Sequence, residues 1–211
     1  GHVAGTSDIG YAFDGRLNDS FLALNRLFDR NIRVTRVHEP LSLDDRALSP
    51  GAFVVPADSE AVLEEIAGDL GISFYPLEKL VEQTEVMRPR LGMYQRYWGG
   101  NMDEGWTRLL LEQFEFPYQT LKDEEIKAGK LADRIDVLVL PDDTTNMITG
   151  KKSEERLVEN PVPPEYQSGI GKKGVKAIMT FVEEGGTLIT LNRACDFAIE
   201  KLDLPISNIL K

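Results

Sequence analysis

The sequence predicts an α/β fold, a three-layer sandwich with a mostly parallel sheet. Segments typical of strands alternate with segments typical of helices of 10–15 residues, which is the order found in parallel sheets with helices on both faces. The run DVLVL at 136–140 is almost wholly apolar, as expected for a central parallel strand that is covered on both sides. Val175, Ile178, Met179 and Val182 recur at the spacing of one helical face.

The elements fall into two groups, which predict an N-terminal α/β segment over residues 1–88 and a second α/β domain over 89–211. In the first group the predicted order is a helix at 21–30, a strand at 32–37, a loop at 39–50, a strand at 51–56, a helix from Asp58 to Gly71, a strand at 72–75 and a connector at 78–88. The pattern leaves open whether these strands join the sheet of the second group.

The second group gives the clearer pattern. The predicted order is a strand at 90–95, a helix from Asp103, strands at 117–121 and 136–140, a helix ended by Gly185-Gly186, a strand at 187–191 and a helix at 194–202. Residues 141–170 show no periodicity and contain four prolines. Such a long loop is either a lid or binding loop, or a surface insertion without a role.

Composition excludes several classes of function. Acidic residues outnumber basic ones by 35 to 24, which gives a net charge of -11 at pH 7. This charge would repel nucleic acid, and Lys and Arg are scattered along the sequence, so we predict no nucleic-acid partner. No run of 18 apolar residues is present, so we predict no membrane span. The chain begins Gly1-His2-Val3 without a methionine, and we expect it to be a piece of a longer protein.

The one cysteine, Cys195, lies just after the last predicted strand, where many α/β hydrolases carry their nucleophile. A nucleophile elbow requires small residues two positions before and after the nucleophile, but here these positions hold Arg193 and Phe197. A reactive thiol also needs a base, and the only candidate is His38, far upstream. The sequence therefore favours a structural role for Cys195, with a Cys195–His38 pair as the catalytic alternative.

Other chemistries lack their sequence signatures. Two histidines in the chain provide neither an HExxH motif nor a comparable zinc-binding pair, so we predict no metal site in this chain. The open alternative is a calcium or magnesium site made of carboxylates alone, given 35 acidic residues, although the sequence has no spaced Asp/Gly loop. The piece SGIGKKG at 168–174 superficially resembles a phosphate loop, but it lacks the GxxxxGK[ST] spacing.

Polar residues follow several predicted strands at the point where each strand ends. In an open parallel sheet, ligands bind beyond the carboxyl ends of the strands. The candidate ligand-binding residues there are Arg96, Trp98, Asp103, Glu104, Asp142, Asn192 and Arg193. Each also has an ordinary structural explanation, since Asp103 can cap a helix and Arg193 can form an ion pair.

Three sequence segments, MDEGWTR, PPEY and FVEEGGTL, lie within residues 89–122 and 163–205 and are the most specific for a family resemblance. Together with IDVLVLP at 135–141, they resemble the region that follows the catalytic domain in a group of bacterial zinc carboxypeptidase-like proteins. That region is similar to a class I glutamine amidotransferase-like, or flavodoxin-like, domain. Residues 11–76, with YAFD, NRLF and FVVP, resemble the segment that joins the two domains.

The resemblance implies a secreted or periplasmic protein whose peptidase domain holds zinc through two histidines and a glutamate. The present chain has no counterpart of those ligands. An active amidotransferase would have its cysteine at the end of the strand at 187–191 and a downstream His-x-Glu, whereas this chain has Asn192-Arg193 there and no later histidine.

The leading hypothesis is therefore a non-catalytic accessory domain of a zinc carboxypeptidase-like protein. Its expected partners are the peptidase domain of the same protein, and a peptide or small polar ligand at the carboxyl ends of the strands. Two alternatives remain: a degenerate amidotransferase-like hydrolase that uses Cys195 and His38, and a metabolite- or carbohydrate-binding module that uses Tyr97 and Trp98.

Overall fold

The structure is a computed structural model that describes residues 1–43, 46–97, 100–150 and 168–210. The chain forms two compact units. The first unit comprises Gly1–Arg88 and Gln113–Phe116, and the second comprises Pro89–Glu112 and Pro117–Lys211.

A five-stranded antiparallel sheet forms the centre of the first unit. In chain order its elements are β1 (Gly10–Phe13), α1 (Asn18–Asp29), β2 (Thr35–Val37), β3 (Leu41–Leu43), β4 (Arg46–Leu48), β5 (Phe53–Pro56), α2 (Glu60–Leu70), β6 (Tyr75–Pro76) and β7 (Gln83–Glu85). The strand order is β6-β1-β5-β2-β7, and β3 and β4 form a separate hairpin.

Side chains alternate between the two faces of this sheet, as in any pleated strand. Tyr11 and Phe13 of β1 pack with α1 and α2 in one apolar cluster. Ala12, between them, belongs to a second cluster that includes Leu41 and Leu48 of the β3–β4 hairpin. Both faces of the sheet are therefore buried.

The antiparallel pairing corrects the prediction of a mostly parallel sheet for residues 1–88. Strand β1 was not predicted, and it pairs in antiparallel register with β5 and β6. The residues predicted as a connector at 78–88 contain β7, which pairs with β2. The alternation of helices and strands in a sequence does not by itself determine whether neighbouring strands run parallel or antiparallel.

The second unit has the predicted α/β class with a parallel sheet. Its elements are β8 (Leu91–Tyr94), α3 (Met102–Gln113), β9 (Tyr118–Leu121), α4 (Asp123–Ala128), β10 (Val137–Leu140), α5 (Thr145–Thr149), α6 (Gly171–Glu183), β11 (Thr187–Thr190) and α7 (Ala194–Lys201). The strand order is β11-β10-β8-β9, and all three neighbouring pairs are parallel.

One apolar cluster packs the helices of this unit against its sheet. Leu138 and Leu140 of β10 lie in this cluster with Phe181 of α6 and Phe197 of α7. Each strand is only four residues long, so each contributes few core side chains. The apolar residues of α3 behave differently, since Trp106 is 63% exposed.

The loop predicted at 141–170 contains the short helix α5, and residues 151–167 of it lie outside the described residues. The candidate residue Trp98 also lies outside them.

Two glycines of the second unit should respond in opposite ways to the same substitution. A Cβ at Gly92 in β8 would lie 2.8 Å from Leu121 Cδ1 and 3.0 Å from Ile135 Cδ1, closer than side chains normally approach. Gly92→Ala should therefore destabilise the unit by about 1–3 kcal/mol. Gly105 in α3 has open space around it, so Gly105→Ala should stabilise the unit by about 0.5–1 kcal/mol through helix propensity.

Urea unfolding followed by tryptophan fluorescence provides the measurement, because Trp106 lies in α3 of the second unit. Equal effects of the two substitutions would contradict the packing described for β8.

Candidate functional site

The four strands of the second unit end at the same edge of the sheet because they are parallel; we call this the carboxyl edge. Strands β8 and β10 are neighbours, but the chain leaves β8 towards β9 on one side and β10 towards β11 on the other. Connections that leave in opposite directions create a crevice between the two strand ends. Open α/β sheets bind their ligands at this position.

Asp142 and Arg193 form a bidentate ion pair at the carboxyl edge. Asp142 follows β10 after Pro141, and Arg193 follows β11. Arg193 Nε lies 2.9 Å from Asp142 Oδ1, and Arg193 Nη2 lies 3.0 Å from Asp142 Oδ2. The backbone N–H of Arg193 also donates to Asp142 Oδ1, at 3.0 Å. These hydrogen bonds hold the pKa of Asp142 below its usual value.

Asp143, the next residue, pairs with a residue that follows β8, the strand on the other side of β10 from β11. Arg96, which follows β8, donates from Nε to Asp143 Oδ2 at 2.9 Å, and Asn101 Nδ2 donates to the same oxygen at 2.9 Å. The Asp143 side chain is only 4% exposed. Burial raises the pKa of Asp143 above its usual value, although Arg96 and Asn101 oppose the shift. Two adjacent aspartates thus have pKa values displaced in opposite directions.

Asn101 connects the start of α3 to the end of β10. Its Oδ1 accepts hydrogen bonds from the backbone N–H groups of Asp103 at 3.0 Å and Glu104 at 3.3 Å, which satisfies two donors of the first helical turn. Its Nδ2 also donates to the carbonyl of Asp142 at 3.2 Å. One amide therefore caps a helix and orients the aspartate pair.

Asp123 provides a third buried carboxylate where β9 ends. Its Oδ1 accepts from the Tyr94 hydroxyl at 2.6 Å, and its Oδ2 accepts from Ser168 Oγ at 3.1 Å and from the Gly169 N–H at 2.7 Å. Burial, together with the neighbouring Asp123, raises the pKa of Tyr94 well above its usual value, so the phenol keeps its proton and donates it. This contact fixes the chain at 168–169 against the ends of β8 and β9.

The turn between β11 and α7 contains a residue with a positive φ. Asn192 has φ = 50°, in the left-handed region that asparagine tolerates better than most residues. Cys195 is three residues further on, within α7, and its Sγ donates to the Thr190 carbonyl at 3.4 Å. The thiol thus makes a contact to the end of its own strand.

His38 belongs to the first unit, where its Nε2 lies 2.7 Å from Thr84 Oγ1. Cys195 belongs to the second unit, which contains no histidine in its sequence. Each of the two residues therefore has a local structural partner.

Four of the seven candidate ligand-binding residues take part in the carboxyl-edge network: Arg96, Asp142, Asn192 and Arg193. Asp103 lies in the first turn of α3 and is exposed. Glu104 is buried and pairs with Arg108 one helical turn later, and Gln95 Nε2 donates to it at 3.2 Å. Trp98 has no described position.

Sequence reasoning did not single out Tyr94, Asn101, Asp123 or Ser168. Asp123 follows the end of β9 after one intervening residue, so the rule that identified Asp142 would also have found it. Ser168 carries no such signal, because a residue 45 positions from Asp123 meets it only through the folded chain.

Among the described residues, no group of three or more His, Cys, Asp or Glu side chains is arranged to hold a metal ion. The zinc ligands implied by the family resemblance have no counterpart here, so no step of a reaction is assigned to zinc in this chain. Within the described ranges, no helix is both long and apolar enough to cross a membrane.

The sequence matches no protein-family model, and no curated protein matches it significantly.

The two neighbouring aspartates should give opposite pH dependences of stability. The pKa of Asp142 is lowered in the folded state, so its stabilising contribution is present above the unfolded pKa and is lost as pH falls through the folded pKa. The pKa of Asp143 is raised, so this carboxyl binds its proton more tightly in the folded state and its effect on stability becomes more favourable as pH falls.

We therefore expect the stability advantage of the wild type over Asp142→Asn, about 1–3 kcal/mol at pH 7, to shrink between pH 6 and pH 2. Its advantage over Asp143→Asn should instead grow as pH falls through the same interval. The measurement is urea unfolding by tryptophan fluorescence across this range. Parallel pH profiles for the two variants would show that the two carboxylates share one environment.

Proposed function

We propose that the second unit is a non-catalytic, class I glutamine amidotransferase-like domain, of flavodoxin-like fold, that binds a peptide or another small polar ligand at its carboxyl edge. The observation that carries the proposal is the paired buried aspartates, Asp142 and Asp143, at the reversal of strand order. Counted within the unit, the strand order is 2-1-3-4, which is the beginning of the flavodoxin-like order.

The ion pairs of the carboxyl edge supply a preorganised surface rather than reactive groups. Asp143 is held by Arg96 and Asn101, and Asp142 is held by Arg193. Carboxylates that already accept several hydrogen bonds have fixed orientations, so ordering them costs little free energy when a ligand binds. The cluster is therefore suited to hold a ligand in one orientation.

Groups of both charge signs remain accessible at this edge. The Arg193 side chain is 53% exposed in spite of its ion pair, and Asp103 at the start of α3 is exposed. Thr145 Oγ1, two residues after Asp143, is buried and has no hydrogen-bond partner in the part of the chain that the structure describes. A peptide carries charges of both signs and amide groups, so its chemistry matches this set.

The proposal assigns the chain to the non-peptidase part of a zinc carboxypeptidase-like protein, secreted or periplasmic, whose peptidase domain is its partner. Support for this assignment is the sequence resemblance over 89–122, 135–141 and 163–205, together with the parallel sheet of the second unit. The assignment requires a peptidase domain with two histidines and a glutamate for zinc, which the coding sequence upstream of Val3 would reveal.

A hydrolase that uses Cys195 and His38 has weaker support. The residue at the turn after β11 is Asn192, whose amide is not a nucleophile, and Cys195 lies beyond it in α7. A thiolate forms readily beside a cation or a base. Cys195 instead contacts the carbonyl and hydroxyl of Thr190, at 3.4 and 3.5 Å, and neither group stabilises a thiolate through charge. The carbohydrate-binding alternative depends on Tyr97, which is 53% exposed, and on Trp98, whose placement is outside the described residues.

Ligand binding is tested with tri-alanine as the probe, in a titration followed by ¹⁵N NMR of the whole chain. We expect saturable shifts of amide signals around Asp142–Thr145 and Asn192–Ala194. Arg193→Lys should weaken binding by about five- to tenfold, because lysine cannot keep the bidentate geometry that orients Asp142.

Arg90→Lys is the matched control. Arg90 forms a similar bidentate pair with Asp136, from Nε to Oδ2 and from Nη2 to Oδ1, but these residues precede β8 and β10 at the opposite edge of the same sheet. Its substitution should leave tri-alanine binding within about twofold. Equal weakening by both variants, or saturable shifts confined to other regions, would refute a ligand site at the carboxyl edge. An absence of saturable shifts would refute binding of a simple peptide there.

The non-catalytic assignment predicts an ordinary thiol at Cys195. Iodoacetamide should alkylate it no faster than free cysteine at pH 7. Mass spectrometry of the single cysteine measures the rate directly. Rapid labelling that persists to pH 6 and is abolished by His38→Ala would support the hydrolase instead.

A further inference from the structure

An open cavity lies between α4 and α6 of the second unit, away from the residues of the carboxyl edge, and three of its lysines, Lys130, Lys173 and Lys176, are exposed. Its volume is about 230 Å³. Four lysines line it: Lys127, Lys130, Lys173 and Lys176. The only acidic residue among the lining residues is Glu184, just after α6. Leu131 and Phe181, both buried, add an apolar part to the wall.

The charge of this cavity opposes that of the whole chain. The sequence carries a net charge of -11, yet lysines outnumber acids four to one among the residues that line this cavity. Lys127 is paired with Glu124 at 2.8 Å. The other three lysines form no ion pair within the described part of the chain. Like charges gathered at one place repel one another, so their proximity favours an anion between them.

Helix stability does not account for the lysines of α6. This helix begins at Gly171, so Lys172 and Lys173 lie in its first turn, and no acidic residue is present there. Cations at a helix N-terminus interact unfavourably with the helix dipole, and Ile170 supplies no side-chain cap. Of the lysines that line the cavity, Lys173 therefore occupies a position at which an acidic residue would stabilise the helix better.

We propose that this cavity binds a small phosphate-bearing anion. Lysine ammonium groups act as compact point charges that suit a tetrahedral phosphate, whereas the planar fork of arginine suits a carboxylate, and no arginine lines the cavity. The volume lies below the range of about 300–1,000 Å³ typical of drug-sized ligands, so the anion is compact. The apolar wall at Leu131 and Phe181 leaves room for a small non-polar group beside the phosphate.

This site is independent of the proposed function. None of Arg96, Asp142, Asp143 or Arg193 lines the cavity, so tri-alanine binding and anion binding can succeed or fail separately.

The test is isothermal titration of the whole chain with pyrophosphate at low ionic strength. We expect saturable binding to one site, with a Kd below about 1 mM. Lys173→Gln/Lys176→Gln should weaken it by about tenfold or more, because two cationic contacts are lost.

Lys172→Gln/Lys79→Gln is the matched control. It removes the same formal charge from exposed lysines that do not line the cavity, and it should change Kd by less than about threefold. Unchanged circular dichroism in all proteins establishes that the variants are folded. Absence of saturable heat up to about 5 mM pyrophosphate, or equal weakening by both double variants, would overturn the site.

Discussion

The reversal of strand order between β8 and β10 is the constraint on which the rest of the second unit depends. After β8 the chain continues to β9, and after β10 it continues to β11, in the opposite direction along the sheet. The two connecting segments therefore diverge and leave a crevice at the carboxyl edge. Asp142 and Asp143 follow β10 at the centre of this edge, so each can pair with a cation from a different side. Asp142 binds Arg193 after β11, and Asp143 binds Arg96 after β8. Two consecutive residues thereby join three strand ends.

This arrangement supports the proposed non-catalytic role of the unit. The carboxylates of Asp142 and Asp143 are engaged in ion pairs, and the residue with positive φ in the turn after β11 is Asn192, whose side chain is an amide. The same contacts that limit chemistry favour recognition, since fixed carboxylates and a half-exposed Arg193 present a defined polar surface. The proposed binding role depends on this rigidity.

The sequence predicted the second unit far better than the first. DVLVL at 136–140 is apolar because β10 is a buried inner strand, and Gly185, with φ = 97°, follows the end of α6 as predicted. The antiparallel sheet of the first unit was missed because residue patterns specify strands and helices but not strand direction. At the site, Asp142 and Arg193 could be predicted from strand ends, whereas the contact of Ser168 with Asp123 arises from tertiary folding alone. The lysine cavity was missed for the same reason, since its two halves are about 45 residues apart in the sequence.

The most direct test of the account is a double-mutant cycle on the Arg96–Asp143 pair, the most buried ion pair of the carboxyl edge. The free energies of unfolding of the wild type, Arg96→Gln, Asp143→Asn and the double variant are obtained from urea unfolding at pH 7. The account predicts a favourable coupling energy of about 1–3 kcal/mol, because either single substitution leaves a buried polar partner unsatisfied. Additive effects, with no coupling between the two positions, would contradict the claim that these pairs organise the carboxyl edge.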